Sequence, residues 1–415
     1  MIDFQLTDKQ RQLKDALEGL GRHVVRPQSL AWDRDHTVSE AFLRQFMGMA
    51  RAFAGEGSAE RFLGTGEEPG AGHGADRGAP RGKPSQANRT AAVGAEALAW
   101  CDAALLLAMP GPGLGGPPVR STGTPEQRQR FFGIFKDMSQ ELRWGAYGLT
   151  EPGAGSDVAA IRTTCVKDGD AWVLNGRKCY ITNGARAAWT VIFATVDHRL
   201  GRAGHRAFVV EKGTPGFSVG KIEDKMGLRA SETAELVLED CRVPEANLLG
   251  GADAHASKEG FMTAMKTFDT TRPLVGAMAC GIGRAAYEHA RYFVRERYLL
   301  SRPIPRYAAL AERLARVGRR LEAARALVHH AVYLADLEQQ NAKEASMAKA
   351  YAGQAAVHAC TEAIDLCGAH GTLAGSDQLL EKWFRDIKVF DIFEGTGNIQ
   401  RVVIAKRIVS GLKAF

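Results

Sequence analysis

What the sequence lacks narrows its class first. No run approaches the ~18 apolar residues that a membrane-crossing helix needs. The start, Met1-Ile2-Asp3-Phe4, carries neither the basic cap nor the apolar stretch of a secretory signal. The expectation is no membrane span and a cytoplasmic location. Cysteine is sparse, with seven residues at 101, 165, 179, 241, 280, 360 and 367 and no C-x-x-C spacing. That excludes a disulfide framework and a thiolate zinc site and points to buried free thiols. There is no internal repeat and no nucleic-acid motif, and the basic residues are spread along helical segments instead of alternating with aromatics, so nucleic acid is not an expected partner.

What is present is the balance of a soluble globular protein, 45% hydrophobic and 24% charged over 415 residues. At a prior of ~150 residues per domain, two or three domains are expected. An excess of 54 Lys+Arg over 47 Asp+Glu gives a formal charge of +7, which steers anionic partners toward the surface; a phosphorylated small molecule fits that charge.

The texture changes twice along the chain. Residues 6–25 and 39–53 have helical apolar spacing, the first behind Thr7 as N-cap. Residues 55–90 are rich in Gly, Pro, Arg and Ala and read as a long loop or mobile insertion. Helical character returns, stops at Pro110-Gly111-Pro112-Gly113, and resumes at Thr124, where Thr-x-x-Gln has the form of a capping box. From about residue 142, short β-branched and aromatic runs at 171–174, 189–196, 207–210 and 235–238 alternate with turns. Beyond Pro244 long Ala/Leu-rich helices follow at 261–297, 308–340, 342–368 and 400–412, enough for a four-helix bundle. The expected fold class is α+β: an N-terminal helical domain (1–141), a middle β-barrel or sandwich domain (142–250) and a C-terminal four-helix bundle (251–415).

Three segments could carry chemistry. In Tyr147-Gly-Leu-Thr-Glu-Pro-Gly-Ala-Gly-Ser-Asp157, glycines would let backbone N–H groups approach a planar or anionic ligand, although the segment also reads as a simple turn. In Gly176-Arg-Lys-Cys-Tyr-Ile-Thr-Asn-Gly184, Tyr180 and Thr182 adjoin an Asn-Gly turn, compatible with a hairpin or a ligand wall. In Phe390-Asp-Ile-Phe-Glu-Gly-Thr-Gly-Asn398, Glu394 stands just before a helix that Thr396 could cap. A carboxylate there is either an anion stabilised by the helix dipole or a general base whose proton affinity rises when water is expelled.

Together these segments resemble the acyl-CoA dehydrogenase family, from about residue 141 to the end. The resemblance implies FAD lined by Tyr147, Leu149, Thr150, Gly155 and Ser156, with Tyr180, Ile181 and Thr182 along the isoalloxazine ring and Thr396 and Asn398 as further flavin contacts. Ser156, Asp269 and Arg272, the last two from Phe-Asp-Thr-Thr-Arg, match positions that hold the thioester's CoA or pantetheine arm, and Gly395 is a further substrate-site position. Glu394 matches the base that removes a proton alpha to the thioester carbonyl. The implied reaction is α,β-dehydrogenation of an acyl thioester, on CoA or an acyl carrier protein, to a trans-2-enoyl thioester. An electron-transfer flavoprotein or similar acceptor would reoxidise the flavin, and the assembly would be a homo- or hetero-oligomer, dimer or tetramer.

Three segments that in the family reach a neighbouring subunit's flavin are altered here. Arg-x-x-Phe-Gly is replaced by Arg297-Tyr298-Leu299-Leu300-Ser301, a His-Gln pair by Tyr307-Ala308, and Gln-x-x-Gly-Gly by Asp365-Leu366-Cys367-Gly368-Ala369; Arg297 and Gly368 survive. This keeps open a half-site or non-catalytic subunit of a heteromeric enzyme. A flavin monooxygenase of the same fold is the other alternative, but such relatives generally lack a glutamate at the position of Glu394. The run Gly111 to Gly116 satisfies G-x-G-x-x-G, yet no strand precedes it and Pro117-Pro118 follow, so it reads as a loop.

Overall fold

The computed structural model describes residues 4–54, 86–251, 259–298, 305–374 and 378–412. Most of the expected 55–90 loop lies outside the described residues, but its end is corrected, because residues 87–90 already form the first turn of a helix that continues into an Ala-rich run of strong helix formers.

Helices come first. α1 (Asp8–Leu20) opens on Thr7, whose hydroxyl accepts the Gln10 N–H while the Gln10 side chain accepts the Thr7 N–H, a reciprocal cap. A π-helical turn (Gly21–Val25) leads into α2 (Arg26–Asp35) and then α3 (Glu40–Ala54). α4 (Ala87–Ala108) is long and apolar enough to cross a membrane by length and composition, yet most of it is buried inside the protein, where it packs on α7 as a core helix. The Gly-Pro segment after it is not a plain loop: Gly113–Gly115 form a 3₁₀ turn and α5 (Gly116–Thr122) follows, with proline in its first turn. A Cβ on Gly115 would collide with the Ala146 carbonyl oxygen, so the glycine lets this turn lie against the sheet. α6 (Pro125–Gly133) carries the capping box expected at Thr124.

The middle region is one curled sheet of seven strands: β1 (Gly145–Gly148), β2 (Thr164–Asp168), β3 (Ala171–Thr182), β4 (Trp189–Thr195), β5 (His205–Glu211), β6 (Phe217–Ile222) and β7 (Thr233–Pro244). β5 runs antiparallel along the whole of β4, whose other edge is shared by β1 and, at Thr195, β2; β3, β7 and β6 continue the sheet. Every residue of β4 is buried, as befits the strand with neighbours on both edges. The C-terminal region is a bundle of α7 (Glu259–Tyr298), α8 (Pro305–Asp336), α9 (Ala342–Cys367) and α11 (Gly397–Leu412), with the short α10 (Leu380–Phe390) before the last. All seven cysteines are buried and unpaired. Burial raises their thiols, those of Cys101 and Cys165 to about 12.

One buried ion cluster ties the three regions together. α4 breaks its helical geometry at Asp102 (φ −161°, ψ 116°), and the Asp102 carboxylate accepts the Leu105 N–H at 3.0 Å, recapping the helix beyond the break. Its other oxygen lies 3.0 Å from Nζ of Lys382 in α10, which also reaches Asp386 at 2.6 Å. Asp386 in turn accepts the backbone N–H of Leu228, in the loop before β7, at 2.6 Å. All three charged side chains are about 1% exposed. Removing one partner strands the others in a medium that cannot solvate them. Lys382→Met should therefore lower stability by about 3–5 kcal/mol, read as a drop in the denaturant midpoint of unfolding.

Candidate active site

The first motif leaves β1 and is held from beneath. Lys178, wholly buried in β3, donates to Glu151 at 2.6 Å and to the Leu149 carbonyl at 3.3 Å. Burial pushes the Lys178 ammonium down to about 8 against the pull of Glu151. Burial also works to raise Glu151, but Lys178 and the N–H groups of Arg162 (2.6 Å) and Thr163 (3.0 Å) outweigh it and hold the carboxyl below its ordinary value. Glu151 is thus the internal anchor of the motif. Paired bonds between Glu151 and Ala154 close the turn, and the Thr150 carbonyl accepts the Cys179 N–H at 3.0 Å, setting the first two motifs side by side. Beyond the turn Gly155 and Ser156 are exposed, and the space around the Cα atoms of Gly153 and Gly155 is open.

The second motif interrupts the β3–β7 ladder. The register shifts between Lys178 and Ile181, and Tyr180 in the gap takes a left-handed backbone (φ 59°) that turns its ring outward, 67% exposed. Such bulges re-aim side chains near functional sites. Ile181 points back into the core and Thr182 is half-buried opposite Thr233. An aromatic ring, a hydroxyl and open glycine backbone turned out of the fold on adjoining segments fit a planar, phosphate-bearing cofactor.

The third motif joins α10 to α11. Glu394 (φ 51°) and Gly395 (φ 93°) are both left-handed, a conformation that costs a glutamate about 1–3 kcal/mol and persists only where surrounding contacts impose it. Those contacts are present. Thr271 donates to Glu394 Oε2 at 2.7 Å, Gln400 Nε2 donates to the carbonyls of Glu394 (3.3 Å) and Gly395 (3.0 Å), and Lys349 Nζ donates to the Gly395 carbonyl at 2.8 Å. Thr396 accepts the Ile399 N–H at 3.3 Å, the cap expected of it. Against the helix-dipole reading of Glu394, burial raises its carboxyl above the ordinary range although Thr271, Arg272 and Lys349 all oppose the rise.

Asp269 and Arg272 meet this cluster from α7. Arg272 pairs with Asp269 at 3.2 Å, and burial lowers its guanidinium against the attraction of Asp269 and Glu394. Pro273 has no N–H to give the Asp269 carbonyl one turn back; the Asn341 side chain donates to it instead, at 3.1 Å. The Tyr147 ring packs on Phe193, and burial, reinforced by the Glu394 carboxylate, raises its hydroxyl, which brings the first and third motifs together. Arg297 is not part of this cluster. It lies exposed over Phe293 near the other end of α7, roughly 40 Å from Asp269 at ~1.5 Å per residue. Asn398 is exposed and bonds Arg401. Thr271, Lys349, Gln400, Lys178 and the role of Glu151 escaped the sequence reading. None of them carries a sequence signal of its own; even Lys349, within the Ala-rich α9, shows its burial only in the fold.

Two family signatures match this chain: "Acyl-CoA dehydrogenase, middle domain" over residues 146–241 and "Acyl-CoA dehydrogenase, C-terminal domain" over residues 258–409. The chain belongs to the acyl-CoA dehydrogenase family. Its members are flavoprotein oxidoreductases, and the helical ends and middle curled sheet are the family's fold. A cyclohexane-1-carbonyl-CoA dehydrogenase of Syntrophus aciditrophicus is 40% identical over 316 residues, 76% of this chain and 80% of that protein. Among solved structures, butyryl-CoA dehydrogenase from Megasphaera elsdenii superposes with a TM-score of 0.82 at 30% identity, covering 98% of this chain and 100% of that one. A chain from a structure titled for the electron transferring flavoprotein of Acidaminococcus fermentans matches at TM-score 0.82 and 33% identity, covering 98% and 99%.

The raised Glu394 carboxyl has a sign that can be measured. The folded state holds this proton more tightly than the unfolded chain does, so the contribution to stability is full below the unfolded value and is lost as pH rises through the folded one. Glu394→Gln should melt higher than the parent near about pH 8 and lose that advantage near about pH 4, which a series of melting temperatures against pH will show.

Proposed function

We propose that this acyl-CoA dehydrogenase family member catalyses FAD-dependent α,β-dehydrogenation of an acyl thioester to a trans-2-enoyl thioester, with Glu394 taking the α-proton. The observation that carries this reading is the Glu394 cluster: a carboxyl whose proton affinity burial raises, oriented by Thr271 at 2.7 Å and moderated by Arg272 and Lys349. A glutamate of ordinary proton affinity is a weak base for a thioester α-carbon, and burial strengthens it in the useful direction. The left-handed backbone fixes where the carboxylate stands, and the Glu394 N–H, by family resemblance, polarises the thioester carbonyl as the proton leaves. Arg272 and Asp269 receive the pantetheine arm of a CoA or acyl-carrier-protein thioester, and Ser156 and Gly395 are, by family resemblance, further contacts for the thioester.

FAD, when bound, supplies the two-electron acceptor for hydride leaving the β-carbon. Tyr147, Leu149 and Thr150 from the first motif, with Gly155 and Ser156 beyond its turn, would line it; Tyr180 and Thr182 would face its ring, Ile181 would offer backbone only because its side chain is in the core, and Thr396 and Asn398 would complete the near side. Electrons would pass on to an electron-transfer flavoprotein or similar acceptor.

A half-site role within a hetero-oligomer is favoured by one observation. Asp365, where the resemblance expects glutamine, is an exposed carboxylate that lies 3.5 Å from Arg313 of its own chain, so this segment carries an anion where the family carries an amide. Arg297, at the far end of α7, would then serve a neighbouring subunit.

Anaerobic titration of the purified chain with acyl-CoA thioesters, followed by visible absorbance, tests both readings. Bleaching of a flavin band by one class of thioester, lost in Glu394→Gln, is the expected result. Bleaching that persists in the variant removes Glu394 from the role of base, and a chain that is yellow only when mixed with a related subunit makes it a half-site component.

A further inference from the structure

Lys349 is an unusual residue to bury. Its side chain is 0% exposed, and its neighbours along α9 are Ala345, Ser346, Ala348, Ala350 and Ala352, all buried. An ammonium in such surroundings is unfavourable unless it has a specific task, because an apolar chain of similar length would fill the same space without losing hydration. Its hydrogen bond among the described residues, 2.8 Å to the Gly395 carbonyl, falls on the residue after Glu394. Gln400 Nε2 converges on the same oxygen at 3.0 Å, so two donors from two helices hold the carbonyl between the left-handed pair 394–395 and α11. The charges that reach the Lys349 ammonium are Asp391 and Glu394 from the α10–α11 loop and Arg272 from α7. Those that reach Glu394 are Arg272 and Lys349, with the Thr271 hydroxyl bonded to it and Tyr147 of β1 close enough to feel its charge.

We infer that Lys349 is a positioning residue for the proton-transfer step: its ammonium anchors the Gly395 carbonyl, keeps Glu394 in its left-handed conformation, and holds the Glu394 carboxylate ready in its ionised form. This rests on the reading of Glu394 as base. Burial pushes the Lys349 ammonium itself down to about 8, so the anchor has a pH limit of its own.

Lys349→Met and Lys349→Arg distinguish this role from simple packing. With FAD bound, Lys349→Met should slow thioester-dependent flavin bleaching on the order of a hundredfold, with little change in KM. The acid limb of its rate profile should move up by about one pH unit, because the carboxylate has lost a neighbouring cation. Lys349→Arg, which keeps a charge that does not titrate, should recover much of the rate and abolish the parent's alkaline limb near about pH 8. A second readout needs neither flavin nor turnover. The melting difference between parent and Glu394→Gln should begin at the same pH in both backgrounds but keep growing to higher pH, and reach a larger plateau, in the Lys349→Met background than in the parent background.

Folded Lys349→Met with an unmoved acid limb, an unmoved melting difference and parental rate overturns the proposal. So does failure of both variants to fold, which would make Lys349 a packing residue alone. Failure of the base reading looks different: Glu394→Gln would bleach flavin normally while the melting difference still moved with Lys349.

Discussion

The Lys382 ammonium, closed in between Asp102 and Asp386, is the point at which the three regions of the chain meet. Each partner comes from a different element or serves a different one: Asp102 recaps broken α4, Asp386 fastens the loop before β7 through the Leu228 N–H, and Lys382 sits one turn before Asp386 in α10. A single cation between two carboxylates has few acceptable geometries once water is excluded, so the cluster acts more as an alignment pin than as a source of net stability. The position of α10 matters because its last residue, Phe390, is four short of Glu394. Placing α10 against α4 and the sheet places the Glu394 loop against α7 and β1.

Around Glu394 the competing effects are of similar kind but unequal size. Burial raises the carboxyl, and one hydroxyl and two cations together fail to bring it back. The strained backbone runs in the same direction, a conformation unfavourable to glutamate that its neighbours enforce. Tyr180 repeats the pattern on the sheet, left-handed and exposed at a break in the ladder. Local backbone rules are broken in both of these motifs, as they are at Asp102 in α4, and in each case named contacts around the residue accompany the break.

Much of this was legible in the residues. Thr7 announced its N-cap and Thr124 its capping box, the buried strands β4 and β5 stood out as β-branched and aromatic runs, and the Ala/Leu stretches after Pro244 resolved into the bundle. β1 was not legible because Gly-Ala-Tyr-Gly is too short and too poor in β-branched residues to stand out, and β6 because nearly all of it is exposed and shows no alternation. The motif positions of the site could be read, but the state of the Glu394 carboxyl could not. A glutamate before a helix suggests an anion, and what reverses that is burial by segments distant in sequence. For the same reason Lys178, Lys349 and Lys382 pass in a sequence for solvated residues, since periodicity records the type of a residue and not the partner waiting for it.

The seven buried thiols have a practical consequence. With burial holding every one above its ordinary value, the folded chain offers almost no thiolate to an alkylating reagent or a peroxide. They are distributed over α4, β2, β3, β7, α7 and α9, so the order in which they become reactive under rising denaturant would chart how the molecule comes apart, helix by helix and strand by strand, without any introduced label.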